Sequence, residues 1–302
     1  MFHVFQQVKD YHPELWAALG DDGRILALFI PVHITLKNGI MKKITTRTNV
    51  FGGVLVSNES EAVQALTELL HAYQKSSGNN SLFTEIRNIS PTDRFQDILC
   101  QYGFKYEEQL NYLIDLTPSP DEVFKRIGQR TRKNIRREMN LSRIQIIQAS
   151  EQKEIMESYD LLINSYRHAQ VPLSDKSLFL TAYTELAPKG MITVLIALLD
   201  QIPAATSIEL FFKDTVTGWF AGMDRSLGSH CANEILMWHV LKNSSEMGYK
   251  KYDFGGAGRS DQKYGVRDFK AKFGGTLVDY GRNTWVPATP SAAMPRRSRT
   301  HS

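Results

Sequence analysis

The order of apolar segments along the chain occurs twice. Residues 24–34 and 44–56 read as strands, the second broken by Gly52-Gly53. An amphipathic helix at 59–74 follows, then a strand at 82–86, a short helix at 93–101 and a strand at 111–116. From residue 192 the order returns: strands at 192–199, 205–212 and 217–223, a helix at 233–247, a strand at 250–254, a short helix at 263–273 and closing strands within 274–285. A chain that spells strands, helix, strand, short helix, strand twice is expected to be an α/β protein (mixed α+β) built as a tandem of one domain type. Its 302 residues also exceed what one hydrophobic core serves. The expected domains are 1–117 and 118–286. The tail 287–302 lacks apolar periodicity and is expected to be disordered.

The junction has its own local logic. Pro118 and Pro120 stop the preceding strand, Ser119 is a favoured N-cap, Pro120 suits the first helical position, and Glu122 completes a capping box. The helix that follows is expected to turn Val123, Ile127, Ile135 and Met139 inward and its arginines outward. Further helices are expected at 151–169 and 177–186.

Between Lys125 and Arg143 stand eight basic residues and one acid, Glu138, so this stretch carries +7 in a chain whose net charge is +4. The remainder is therefore mildly acidic, and the expectation is a localised anionic partner. The longest apolar run, 192–199, interrupted only by Thr193, is far short of a membrane span. The first residues show no secretory signal pattern, which points to the cytoplasm. Cys100 and Cys231 are far apart and without metal spacing, as expected of free, partly buried thiols in a reducing compartment. The eight histidines form no HxxH or HxxxH pair, and no metal is expected.

Residues 252–281, YDFGGAGRSDQKYGVRDFKAKFGGTLVDYG, carry the strongest functional signal. An apolar run ends in glycines, and a second Gly-Gly opens the next. Without Cβ atoms these places admit another backbone or a ligand. In the helical pattern between them Lys263, Arg267 and Lys270 share one side, and Val266, Phe269 and Phe273 a neighbouring one. Such a helix can rest on a core and hold cations over a cleft, toward an anionic ligand or a developing oxyanion. Lys272 is expected to pair with Asp268. Asp253 is read as a loop former, with a general base as the alternative.

The segment order of the second half resembles the GNAT N-acyltransferase fold. Three stretches, TRKNIRREMN after the proline-rich junction, EMGYKKYDFGG and GVRDFKAKFGG, resemble the Fem-type (FemAB-like) aminoacyltransferases, which consist of two tandem GNAT-like domains. The resemblance covers nearly the whole chain, although in the first half it is mainly one of layout. It implies transfer of an aminoacyl group from aminoacyl-tRNA to an amine of a peptidoglycan or other cell-envelope precursor, UDP-linked or lipid-linked, with no further cofactor. The acceptor would lie between the two halves. The resemblance places Phe269 and Lys270 at the reacting carbonyl, where a preorganised cation or amide contributes about 3–4 kcal/mol. Gly255, Gly256, Arg259, Lys263, Tyr264 and Arg267 fall around that point and are expected to bind substrate. Arg132 and Arg136, one turn apart, are expected on phosphates. Arg47 and Asn49, before Gly52-Gly53, align in layout with a nucleotide-contacting strand end, with Lys42 and Lys43 as phosphate contacts. The other reading of that stretch, and the favoured one, is a β-hairpin with a glycine bulge.

Departures from the family matter too. No helical-hairpin arm is inserted, and the first domain begins where a leading helix is expected, so it is either trimmed or starts upstream. In acyl-CoA-using GNAT enzymes a [Q/R]-x-x-G-x-[G/A] loop holds the pyrophosphate at a helix N-terminus. Here that loop reads Arg225-Ser226-Leu227-Gly228-Ser229-His230, and His230 crowds the position that needs the smallest residue. This weighs against acyl-CoA. Two rivals stay open: an acyl-CoA-dependent N-acyltransferase acting on an amino sugar or sugar nucleotide, and a catalytically inactive RNA-binding protein that kept the fold.

Overall fold

The computed structural model describes residues 1–35, 45–76, 80–227 and 231–287. Lys42, Lys43, the loop residues Gly228, Ser229 and His230, and the tail from 288 lie outside the described residues. The chain forms two compact units, one of residues 1–13 and 108–281, the other of residues 14–107 and 282–302. The elements in chain order are α1 (Phe2–Gln7), β1 (Tyr11–Pro13), β2 (Trp16–Leu19), β3 (Ile25–Phe29), β4 (Val32–Thr35), β5 (Thr46–Phe51) and β6 (Leu55–Val56). Then come α2 (Ala62–Ser76), β7 (Thr84–Arg87), α3 (Gln96–Gln101), β8 (Lys105–Glu107), β9 (Leu110–Asp115), α4 (Pro120–Arg126) and α5 (Gln129–Leu141). The remainder are β10 (Ile144–Gln148), α6 (Gln152–His168), α7 (Lys176–Leu186), β11 (Ile192–Leu199), β12 (Ile202–Phe212), β13 (Thr215–Met223), α8 (Ala232–Glu246), β14 (Lys251–Gly256), α9 (Gly265–Ala271), β15 (Thr276–Asp279) and β16 (Arg282–Trp285).

These units differ from the expected boundary at 117, and strand pairing is the reason. β9 pairs antiparallel with β14 and β15, so it belongs with the later sheet. β16 pairs antiparallel with β7 and β8, so it returns to the earlier one. In the smaller unit β4, β5, β7, β16 and β8 lie in that order in one sheet, and β2, β3 and β6 form a second. The amphipathic α2 buries Leu66, Leu70 and Tyr73 against Phe29, Val50, Ile86 and Phe104. β5 and β6 belong to different sheets. Gly52 and Gly53, at φ +95 and +79, thus turn the chain from one sheet to the other, and the expected hairpin between these strands does not form.

In the larger unit seven strands run in the order β10-β11-β12-β13-β14-β9-β15, with β13 and β14 parallel and the other pairs antiparallel. Leu195, Ala197, Leu199, Ala205, Val216 and Tyr252 face α4, α5 and α8 in one continuous core. α6 and α7 pack on the same sheet through β11, β12 and β13. At α4 the capping box forms as expected: Ser119 Oγ accepts from the Glu122 amide, and the Glu122 carboxylate accepts from the Ser119 amide at 3.1 Å. The single expected helix is two. Ile127 and Gly128 are extended, and α5 starts afresh with the Gly128 amide donating to Lys272 O at 2.8 Å. The break resets the helical phase. Thr131, Ile135 and Glu138 face inward at i, i+4 and i+7, and Met139, expected in the core, is 51% exposed. Cys100 and Cys231 are free thiols, but Cys100 is exposed rather than partly buried. Among the described residues no helix is long and apolar enough to cross a membrane.

Candidate active site

The parallel pairing of β13 with β14 is short. It runs from Thr215–Lys251 to Thr217–Asp253, and among the described residues it goes no further. β13 continues to Met223 and β14 to Gly256, so the two strands diverge from Gly218 and Phe254 onward. Beyond that point β14 follows β9 instead, after an irregularity between Asp253 and Gly256. Among the described residues the divergence leaves that side of β13 without a strand partner; Ser165 Oγ bonds the Met223 amide and carbonyl at its far end, and backbone groups nearer Gly218 can bind a ligand's carbonyl or amide.

Asp253 shapes the β14 limb. Its Oδ1 accepts from the Gly255 amide at 2.7 Å and from Asn111 Nδ2 at 2.6 Å, an Asx turn that lets Gly255 enter at φ +68. This is the loop-forming role expected from sequence. The turn leaves the carbonyls of Phe254, Gly255 and Gly256 converging on one point, and Lys270 fills it. Lys270 Nζ donates to those three oxygens at 2.6, 3.1 and 2.7 Å, 5.9 Å from the centre of the Phe254 ring. It is 8% exposed. Burial pushes its ammonium down to about 8, opposed by the negative charge of Asp253. An ammonium has three donors, and all three are committed here. The expected cation over a cleft is thus a buried cation that clasps the diverging limb of β14.

The rest of the predicted helix pattern is partly corrected. α9 begins at Gly265, so Lys263 precedes it and is exposed, and the expected side of Lys263, Arg267 and Lys270 is not one helical face. Val266 is 42% exposed, whereas Phe269 packs at the core edge and Phe273 is fully buried, 5.2 Å between ring centres. Arg267 donates to the carbonyls of Arg259 and Gln262 and so braces the loop before α9. Arg259 pairs with Asp261 at 3.0 Å. The exposed Tyr264 ring lies against Gly258. Lys272 reaches Glu234 at 3.0 Å, not Asp268, because the last turn of α9 faces the start of α8.

Arg132 donates to Lys125 O, and Arg136 lies over the Phe124 ring at 5.1 Å. On the same helix Arg130 and Lys133 are exposed and have no ion pair among the described residues. In the smaller unit Arg47 and Asn49 stand on β5. Arg47 Nε and Asn49 Oδ1 are buried without hydrogen-bond partners among the described residues.

Two residues near the divergence escaped sequence reasoning. Asn111 holds Asp253, as above. Glu209, 1% exposed, accepts from Tyr252 Oη at 3.1 Å and from Ser207 Oγ at 2.6 Å. A lone acid inside the apolar run 202–212 was the available signal.

Residues 129–270, from the start of α5 to α9, match the family model of the acetyltransferase (GNAT) domain. No curated protein matches the chain. Among solved structures, FemX is similar at 14% identity and a TM-score of 0.69, over 91% of this chain and 88% of that one. The C-terminal domain (DUF2156) of an assigned lysylphosphatidylglycerol synthetase from Agrobacterium fabrum is similar at 15% identity and a TM-score of 0.60, over 93% and 85%. A tandem GNAT protein from the clavulanic acid biosynthesis pathway is similar at 8% identity and a TM-score of 0.58, again over 93% and 85%. The chain has the tandem GNAT fold in its Fem-type form.

Proposed function

We propose that this chain, an acyltransferase of the GNAT superfamily, transfers an aminoacyl group from aminoacyl-tRNA to an amine of a peptidoglycan or other cell-envelope precursor. The observation that carries the reading is the buried Lys270 ammonium at the point where β14 leaves β13. Attack of an amine on an aminoacyl ester produces a tetrahedral oxyanion. In a dry site a fixed positive charge stabilises it, and amides on the free edge of β13 can donate to it. The ester is already activated, so alignment with a neutral amine supplies much of the rest. The acceptor amine must lose a proton, and no side chain is assigned that task. The name of the lysylphosphatidylglycerol synthetase domain supports the aminoacyl and envelope parts of the reading.

The acyl-CoA reading has its counterpart in the tandem GNAT protein, whose structure is described as without AcCoA. The electrostatics at the start of α8 favour the tRNA reading. Glu234 occupies the first turn of α8, and burial, then Glu234 and the buried Glu138, push the Cys231 thiol up. Arg137 and Lys272 are paired with these acids, which lowers the positive charge that the helix start offers a pyrophosphate.

The test is a donor screen of radiolabelled aminoacyl-tRNAs and acyl-CoAs against UDP-linked peptide and amino-sugar acceptors. Label should pass from aminoacyl-tRNA; passage from acyl-CoA alone overturns the proposal. A second expectation concerns α5. Replacing Arg130 and Lys133 together by alanine should raise KM for aminoacyl-tRNA about tenfold with kcat unchanged, and lower the slope of log affinity against log salt by about 1 per residue. An unchanged salt slope removes α5 from the tRNA contact.

A further inference from the structure

On the α8 face of the sheet, a cavity of about 370 Å³ lies between the sheet and the C-terminal half of α8, and Glu209, the register partner of Gly218, is in its lining. Ile146, Leu195, Phe211 and Val240 give it apolar walls, and Glu209, His239 and Asn243 give it polar points. Its size is at the small end of ligand pockets, and its mixture of apolar wall and few polar groups is typical of them. Its rim includes Gly190, Gln148 and Met247, all exposed, so the space is reachable from solvent.

The deep end is the unusual part. Buried carboxylates are normally paired with a cation or a metal. Glu209 is fully buried, and its partners are two hydroxyls, those of Ser207 and Tyr252. Among the described residues no Lys, Arg or His is ion-paired with it. A carboxylate accepts at about four positions, so two remain for a ligand. Of the titratable groups around Glu209, His239 of α8 lines the same cavity and Tyr252 of β14 bonds the carboxylate from beside it; Gln148 of β10 and Thr193 of β11 also line the cavity, and Gly218 of β13 is the register partner of Glu209, and these three carry no charge. His239 bonds to Asn243 Nδ2 at 2.9 Å, and burial with the nearby Lys242 lowers its basicity, so it does not supply the missing positive charge near neutral pH.

We propose that this cavity is a binding site for a small primary ammonium group on an apolar stem, with the ammonium on the Glu209 carboxylate. The proposal does not depend on which donor the transfer reaction uses. Burial raises the Glu209 carboxyl to about 7 against the Ser207 and Tyr252 hydrogen bonds, so the carboxylate that attracts a cation is populated as pH rises through neutrality. Empty protein shows the reverse trend in stability. The folded value lies above the ordinary 4.5, so the stabilisation is full below 4.5 and is lost as pH rises through about 7. An ammonium ligand therefore gives its largest protection on the alkaline side.

The probes are n-butylammonium, its neutral counterpart n-butanol, and a capped tripeptide with a central lysine, each measured by thermal shift and titration calorimetry on the full chain. Butylammonium is expected to bind at least about tenfold tighter at about pH 8 than at about pH 6, with butanol far weaker at both. Glu209→Gln is expected to weaken butylammonium about tenfold or more and to flatten the pH dependence. Met247→Arg, at an exposed rim position, keeps Glu209 in place while its cation repels or replaces the ligand, and should also weaken binding. It leaves aminoacyl transfer unchanged, and it decides the matter if Glu209→Gln does not fold. Binding of the lysine peptide as tightly as butylammonium identifies a lysine side chain as the source of the ammonium; binding of butylammonium alone identifies a free amine. Equal binding of butanol and butylammonium, no pH dependence, no effect of Met247→Arg, or no binding at millimolar concentration overturns the proposal.

Discussion

Lys270→Ala is expected to lower the transfer rate by about a hundredfold to a thousandfold, with KM for donor and acceptor within a few-fold of wild type. The loss has two sources. On the proposed mechanism a positive charge beside the reacting carbonyl disappears, and three carbonyls of the β14 limb lose their common donor. Unpartnered buried carbonyls cost about 1–3 kcal/mol each, so the variant should also unfold at lower temperature. The pH profile separates charge from architecture. The Lys270 ammonium is held near 8, so wild-type transfer should decline as pH rises through that value while the acceptor amine is still gaining reactivity. The stability effect has the opposite sense. Because the folded value lies below the ordinary 10.5, the contribution to stability is full above 10.5 and is lost as pH falls through about 8. Equal single-turnover rates for wild type and variant would remove Lys270 from the chemistry and leave it as a clasp for residues 254–256.

Gly274→Ala should destabilise the larger unit by about 3–4 kcal/mol, without any change at the transfer site. Gly274 sits at φ +75, and a Cβ there would lie 2.2 Å from Arg126 O and 2.8 Å from Arg126 C. Both obstacles are backbone at the end of α4, so no side-chain rotation relieves them. Gly275 has the same difficulty with Leu113 O at 2.7 Å. Gly190→Ala is the control: at φ +63 with nothing within 4 Å, it carries only the backbone penalty of about 1 kcal/mol. Denaturation midpoints compare the two. A Gly274 variant no worse than the Gly190 variant would contradict the close packing of α4 on this turn.

The second glycine pair therefore serves a neighbouring backbone, one of the two uses that the sequence allowed. Local features were legible in this way. Strand and helix order follows from periodicity, the α4 cap from Ser119 and Glu122, and the Asx turn from Asp253 before two glycines. Features set by distant partners were not legible. Gly128 looks like an ordinary glycine inside a basic helix, yet it restarts the helix, and the new phase exposes Met139 and buries Glu138. The exposure of Val266 depends on α9 starting at Gly265 rather than two residues earlier. The hydrogen bonds of Lys270 depend on three carbonyls from another element. Neither side-chain spacing nor charge in the sequence reports where Arg132 and Arg136 bend their guanidinium groups.

The position of β16 has a consequence for synthesis. In the smaller unit's sheet it lies between β7 and β8, although it is made almost two hundred residues after β7. As the nascent chain leaves the ribosome, β7 and β8 emerge early and cannot close on each other in the native order. They wait, with a gap one strand wide, until residues 282–285 arrive from the far end of the polypeptide. A chain cut short before that point releases a half-made sheet with two unsatisfied edges, the kind of surface that chaperones hold and proteases clear.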